Sequence, residues 1–178
     1  MPPRARNRRV RASPKPAATA PSWLRPALVA LTALLLTTWF TGEIADTDIW
    51  LHLKTGQHTL ETRALTVPDP FSYTSNMRPA SAGEATTRYF NLVHEWLAQI
   101  IMYAIYRAAG FPGLVLLRAG LLIGFCGFVG LMAYWRSGDF YRGLAAAIVA
   151  GAVAINFQQS RPFLVTFVLL AATMAILE

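Results

Sequence analysis

Residues 113–134 form an apolar stretch that carries a single charge, Arg118. About 20 consecutive apolar residues, wound as a helix, reach across the hydrocarbon core of a bilayer. Three shorter apolar runs flank this one: 27–40, extended by 23–24 and 41–42, then 144–157, then 163–177. Charged residues make up only 14% of the chain and apolar ones 54%, where a soluble domain carries about one-quarter charged residues. The expected fold class is therefore an all-α membrane protein with about four transmembrane helices.

The charge is placed as unevenly as the apolar residues. Arg4, Arg6, Arg8, Arg9, Arg11, Lys15 and Arg25 precede the first apolar run with no acid among them. Beyond residue 26 the nine remaining bases equal the nine acids, so the net charge of +7 belongs to the N-terminal segment. Residues 1–22 have no periodicity and read as a disordered basic tail. Basic residues ahead of a first span keep that end in the cytoplasm. No groove-reading element follows the tail, so no nucleic-acid partner is expected. A cleaved signal peptide is the rival reading of the first run, but Trp39-Phe40 stand where small residues would mark the cut. The Arg8-Arg9 pair is too far upstream for a twin-arginine signal. Cys126 is the only cysteine, lies in an apolar run, and reads as packing.

With the N-terminus inside, residues 43–112 form a long first external loop and 23–178 the membrane domain. Helical spacing predicts a helix over 49–60, with Ile49, Trp50, Leu53 and Leu60 sharing one side. Pro68-Asp69-Pro70 is a turn signal, and Phe71-Ser72-Tyr73-Thr74 reads as extended. Residues 75–87, rich in Ser, Ala, Thr and Gly, read as a loose loop. Residues 91–109 form an amphipathic helix that Gly110 and Pro112 end, with Glu95 and Gln99 four apart on one face. This helix could span or lie in the interface. If it lies in the interface, the connector 135–142 with Arg136 and Arg142 falls on the cytoplasmic side, as the positive-inside rule prefers. Glu178 follows an apolar run directly, which reads as the front part of a longer protein.

The motifs recur in a definite order. Asp46-Thr47-Asp48-Ile49-Trp50-Leu51-His52-Leu53-Lys54-Thr55-Gly56 follows the first run. Then come Pro68-Asp69-Pro70-Phe71-Ser72-Tyr73-Thr74, His94-Glu95-Trp96-Leu97-Ala98, Gly110-x-x-Gly113-Leu114-x-x-Leu117-Arg118 and Arg161-Pro162. This set resembles the N-terminal third of bacterial multi-pass proteins of the GT-C glycosyltransferase superfamily, nearest the protein mannosyltransferase and lipid A aminoarabinose transferase branch. The resemblance implies a bacterial inner-membrane enzyme that moves a sugar from a polyprenyl-phosphate carrier to an acceptor on the outer face. It also implies an acidic residue in the first external loop, serving as base or metal ligand. Asp46 and Asp48 fall where that acid is expected.

The residue types suit such chemistry. A carboxylate can take the proton of an acceptor hydroxyl, or hold a divalent cation against a leaving phosphate. Hard cations prefer oxygen ligands, so Asp46 and Asp48 are also the candidate metal ligands. The bland reading of Asp48 is an N-cap for the helix that follows. His94 and Glu95 are candidate substrate-binding residues at the same pocket, against a merely wet interfacial role. Trp50 and Trp96 read as interface anchors before sugar-stacking platforms. Arg118 and Arg161 are candidates to bind a lipid phosphate through their forked donors. Their rivals are a salt bridge from Arg118 to Glu95 or a loop acid, and headgroup contact by Arg161. His52 and His58 lie on different helical faces and read as no metal site. The expected partners are membrane lipid, a polyprenyl-phosphate-linked sugar and a further membrane protein. The alternative function is a non-catalytic membrane subunit that docks a larger partner, and a weaker third is a transporter fragment.

Overall fold

The structure, a computed structural model, describes residues 21–72 and 81–178. The expectations for residues 1–20, for Tyr73-Thr74 and for 75–80 lie outside that range. Among the described residues every regular element is helical. In chain order these are α1 (Leu24–Phe40), α2 (Ile49–Thr62), α3 (Ala82–Val93), α4 (Trp96–Ser137), α5 (Phe140–Ala154) with a 3-10 turn at Ile155–Phe157, and α6 (Phe163–Leu177).

The longest helix is two limbs. At Gly110 the backbone turns to φ 62°, ψ −154°, a conformation open to glycine and hostile to other residues. Pro112 then sits in the first turn of the second limb, where its missing N–H leaves no bond unmade. Limb 96–109 therefore does not continue as a straight span into limb 111–137. The connector expected over 135–142 is much shorter than that range. The helix runs to Ser137, Gly138 takes φ 64°, and the Asp139 carboxylate accepts from the N–H groups of Tyr141 and Arg142 to start α5.

Four apolar helices run side by side with alternating direction. Arg25 lies 5.5 Å from the centre of the Phe140 ring, and Arg136 pairs with Glu178. These contacts gather the start of α1, the end of α4, the start of α5 and the end of α6 at one end of the bundle. The core between the helices holds Leu36, Phe40, Ala119, Leu122, Cys126, Ala154 and Leu164. Small residues set the crossing of α4 and α5: a Cβ on Gly130 would stand 2.9 Å from the Gly143 carbonyl oxygen. Such close backbone approach is how helices associate where no water drives them together.

Two stretches, Gly83–Ser137 and Phe140–Phe157, are long and apolar enough to cross a membrane. α1 and α6 are apolar but shorter. The outward faces of α1, α5 and α6 expose Leu31, Leu34, Val149, Val153, Leu169 and Leu170. The hydroxyls of Thr37, Thr38 and Thr173 each donate to a carbonyl one turn back, so none needs water. Contiguous apolar surface of this kind faces lipid or another protein.

α2 and limb 96–109 cap the opposite end, and α3 joins that limb through the turn at His94-Glu95. Ile49 and Leu53 of α2 pack with Met102 and Leu114 of α4. A Cβ on Gly56 would overlap the Gln99 carbonyl, so the glycine that weakens α2 as a helix is what lets it lie on limb 96–109. The inward face of α2 is turned from the expected one. Ile49, His52, Leu53, Gly56 and Thr59 are buried, while Trp50 and Leu60 are exposed. Trp50 instead packs edge-on against Phe111 at the rim. The loop expected over 75–87 is helical from Ala82, because Ser81 accepts from the Glu84 N–H and Glu84 pairs with Arg88 one turn on. Ser81-x-x-Glu84 is a capping-box signature that marks a helix start. The helix expected over 91–109 is likewise broken, by a turn at His94-Glu95 between α3 and α4.

Candidate functional site

The expected site residues meet at the capped end. Asp46 and Asp48 lie in the link from α1 to α2, and Arg161 in the link from α5 to α6. The Arg161 guanidinium spans both acids. Its Nε lies 2.7 Å from Asp46 Oδ2, and its Nη2 lies 3.3 Å from Asp46 Oδ1 and 2.7 Å from Asp48 Oδ2. The Asp46 side chain is 9% exposed and that of Asp48 50%. Asp46 Oδ1 also accepts from the Asp48 N–H at 3.1 Å. Asp48 occupies the N-cap position of α2, but its backbone is already helical and its carboxylate makes no cap bond. The carboxylate is drawn to Arg161 instead, so the capping reading of Asp48 does not hold.

This geometry sets the charge states. The Arg161 hydrogen bond holds the Asp46 carboxyl below its ordinary range, against the opposing effect of burial, with the Asp48 N–H adding to the lowering. Asp46 in turn keeps the Arg161 guanidinium more firmly protonated. Asp46 is thus an ionised base throughout the neutral range, restrained by a cation.

Glu95 stands beside this group. Its Oε1 is 3.4 Å from His94 Nε2 and its Oε2 is 3.7 Å from His52 Nδ1. The Gln99 amide nitrogen lies 3.3 Å from the same His52 nitrogen. The His94 ring stacks on Phe90 at 4.5 Å. His52 was not a candidate from the sequence. Its signal was register: it follows Ile49 by three residues and precedes Gly56 by four, on the face that α2 buries.

Burial holds His52 below its ordinary pKa of 6.5, while Glu95, Asp48 and Asp46 pull it upward and Arg161 pushes it down. The unfolded chain therefore takes up this proton before the folded one does. Stability is full above that pKa and declines as the pH falls below it. Melting curves between about pH 7.5 and 5.5 will show this decline, and His52→Asn will flatten it.

Among the described residues Arg118 lies near the acids but pairs with no carboxylate. It is 3% exposed and donates to the backbone carbonyls of Phe40 at 3.3 Å, Glu43 at 3.4 Å, Gln158 at 2.9 Å, and Gly42. The last carbonyls of a helix have no partner within it, and here the arginine serves the end of α1 and the strand of chain after it. The expected salt bridge to Glu95 or a loop acid is replaced by these carbonyl contacts, and most of its forked donors are engaged before any phosphate arrives.

Two open cavities lie at this end of the bundle, and of the triad Asp46, Asp48 and Arg161 only Asp46 lines either of the two. A polar cleft of about 420 Å³ is lined by Glu43, Asp46, Thr47, Asn156, Gln158 and Ser160, among others. An apolar groove of about 370 Å³ runs between limb 96–109 and the start of α6, walled by Leu97, Ile101, Phe163 and Val165 with His94 and Glu95 at its polar end. Ser160 borders the first and Pro162 the second, so Arg161 stands between them.

Among the described residues no group of three His, Cys, Asp or Glu side chains is arranged to hold a metal ion. The two carboxylates expected as ligands share a guanidinium, which fills the position a cation would take. As placed, this donor set does not fit a divalent ion. Comparisons with protein-family models, with curated proteins and with solved structures find no match.

Proposed function

We propose that this chain forms the catalytic end of a multi-pass glycosyltransferase of the GT-C kind. It would transfer a sugar from a polyprenyl-phosphate carrier to an acceptor on the external face of a bacterial inner membrane. The observation that carries the reading is the Asp46–Arg161–Asp48 triad, set between an apolar groove and a polar cleft at one end of an apolar bundle. The four apolar helices are read as spans, with the N-terminus in the cytoplasm as its basic residues favour. The cap of α2 and limb 96–109 then lies at the outer interface.

In this reading the carrier lies along the apolar groove, with its phosphate toward Arg161. Phosphate oxygens compete for the forked donors that now hold the acids. The bond between the sugar C1 and the phosphate oxygen breaks, and its electron pair leaves with the polyprenyl phosphate. The acceptor oxygen bonds to C1 from the other face and its proton passes to Asp46. Glu95 and His94 sit at the polar end of the groove, where they can hydrogen-bond the sugar. A divalent ion would first have to displace Arg161, so no step is drawn through one.

Asp46→Asn and Asp48→Asn, each in its native membranes and supplied with polyprenyl-phosphate-linked sugars, test the proposal. Asp46→Asn will lower the transfer rate by roughly 10²–10⁴-fold, the span of a lost general base. Asp48→Asn will have a smaller effect, since half of its side chain is exposed. Unchanged transfer in both variants overturns the catalytic reading and leaves the non-catalytic subunit.

A further inference from the structure

The polar cleft has a chemistry of its own. Asn156, Gln158 and Gln159 bring amides, Thr47 and Ser160 hydroxyls, and Glu43 and Asp46 carboxylates. Amides and hydroxyls both donate and accept, which matches the donor-and-acceptor hydroxyls of a polyol. Ser160 is 5% exposed, and its Oγ is buried without a hydrogen-bond partner. The volume lies within the ~300–1,000 Å³ of small-ligand sites.

Cations are scarce in the cleft. Arg118 is the one basic residue on its wall, and its guanidinium is engaged by four backbone carbonyls. Arg161 next to it is held by Asp46 and Asp48. A carboxylate or phosphate entering here would meet the carboxylates of Glu43 and Asp46, and the one guanidinium on the wall is already taken by backbone carbonyls. Ile44, Ala45 and Ile155 offer small apolar patches between the polar groups, which suit the C–H faces of a sugar ring.

We infer that this cleft is a binding site for an uncharged, hydroxyl-rich ligand of the carbohydrate class, held by Asn156 and Gln159 and presenting a hydroxyl to Asp46. The inference rests on the proposed transferase reading, in which the cleft receives the acceptor. It thereby names the acceptor's class: neutral and polyhydroxylated, in contrast to an anionic lipid or an acidic peptide.

The test is saturation-transfer difference NMR on the full chain in lipid nanodiscs, where no detergent sugar competes. The probes are methyl α-glucoside and glucuronate. Methyl α-glucoside will bind, and glucuronate will bind about tenfold more weakly, the equivalent of ~1.4 kcal/mol. Asn156→Leu combined with Gln159→Leu, both at exposed positions, will remove the methyl α-glucoside signal with an unchanged melting temperature. The inference is overturned by equal or tighter binding of glucuronate, by no signal from the neutral probe, or by a signal that survives the double variant. Asp46→Asn separates the two readings, because it removes transfer but leaves the cleft's amides in place. Neutral-sugar binding together with transfer that ignores Asp46 defeats the transferase alone. Transfer that depends on Asp46 but not on Asn156 and Gln159 defeats the cleft assignment alone.

Discussion

Arg118→Leu will destabilise the folded chain by several kcal/mol, since each buried carbonyl left without its donor costs about 1–3 kcal/mol. The leucine is three heavy atoms smaller, so a gap at the guanidinium position adds to the loss of polar pairing. The carbonyls of Phe40, Gly42, Glu43 and Gln158 all turn toward this one guanidinium. Removing it leaves the end of α1 and the 158 turn with acceptors aimed at an apolar side chain, at the point where Asp46 and Arg161 are positioned. Arg118→Lys will rescue little. An ammonium is a compact point charge and cannot span a set of acceptors as a planar fork does. Thermal unfolding in nanodiscs measures the loss. A leucine variant as stable as the native chain would show that these carbonyls find other partners.

Arg161→Leu will lower kcat/KM of the proposed transfer by roughly 10²–10³-fold, comparable to removing one preorganised charge-stabilising group. The variant loses the phosphate contact and the cation between two carboxylates together. Its pH profile separates this role from a general loss of structure. Arg161 is the first cause of the lowered Asp46 pKa, and burial opposes it. Without the arginine the Asp46 pKa rises, so on acidification its base form is lost at a higher pH. The acid limb of the rate profile must therefore move upward. A drop in rate with an unmoved acid limb would place Arg161 in the scaffold and not at the reacting acid. Arg161→Lys will restore part of the acid limb and less of the rate, since one ammonium cannot hold both carboxylates and a phosphate in the fork geometry.

Much of the fold follows from local pattern. Apolar runs 27–40, 113–134, 144–157 and 163–177 coincide with helices, which pair their backbone N–H and C=O groups within the run itself. The break between 109 and 112 is also local, since Gly110 and Pro112 act on their own dihedrals. The Ser81-x-x-Glu84 start of α3 is equally local, although it lies within a loop-like composition. The turn at His94-Glu95 has no comparable signal.

The amino-acid sequence by itself determined that this chain is helical, where its apolar runs lie, and that an acidic pair follows the first of them. Those properties depend on residues within a turn or two of one another. Only the tertiary structure decided what the charged groups do. Asp46 meets Arg161 across 115 positions, and Arg118 meets Phe40 across 78. Two arginines that look alike in the sequence therefore part company: one is held by the acids of the site, the other by the carbonyls that the end of α1 leaves unpaired. The difference comes from the register in which the helices pack, set between α4 and α5 by the fit of Gly130 against Gly143 and between α5 and α1 by the fit of Gly151 against Leu36. That fit is a property of paired surfaces, and no single stretch of chain contains it.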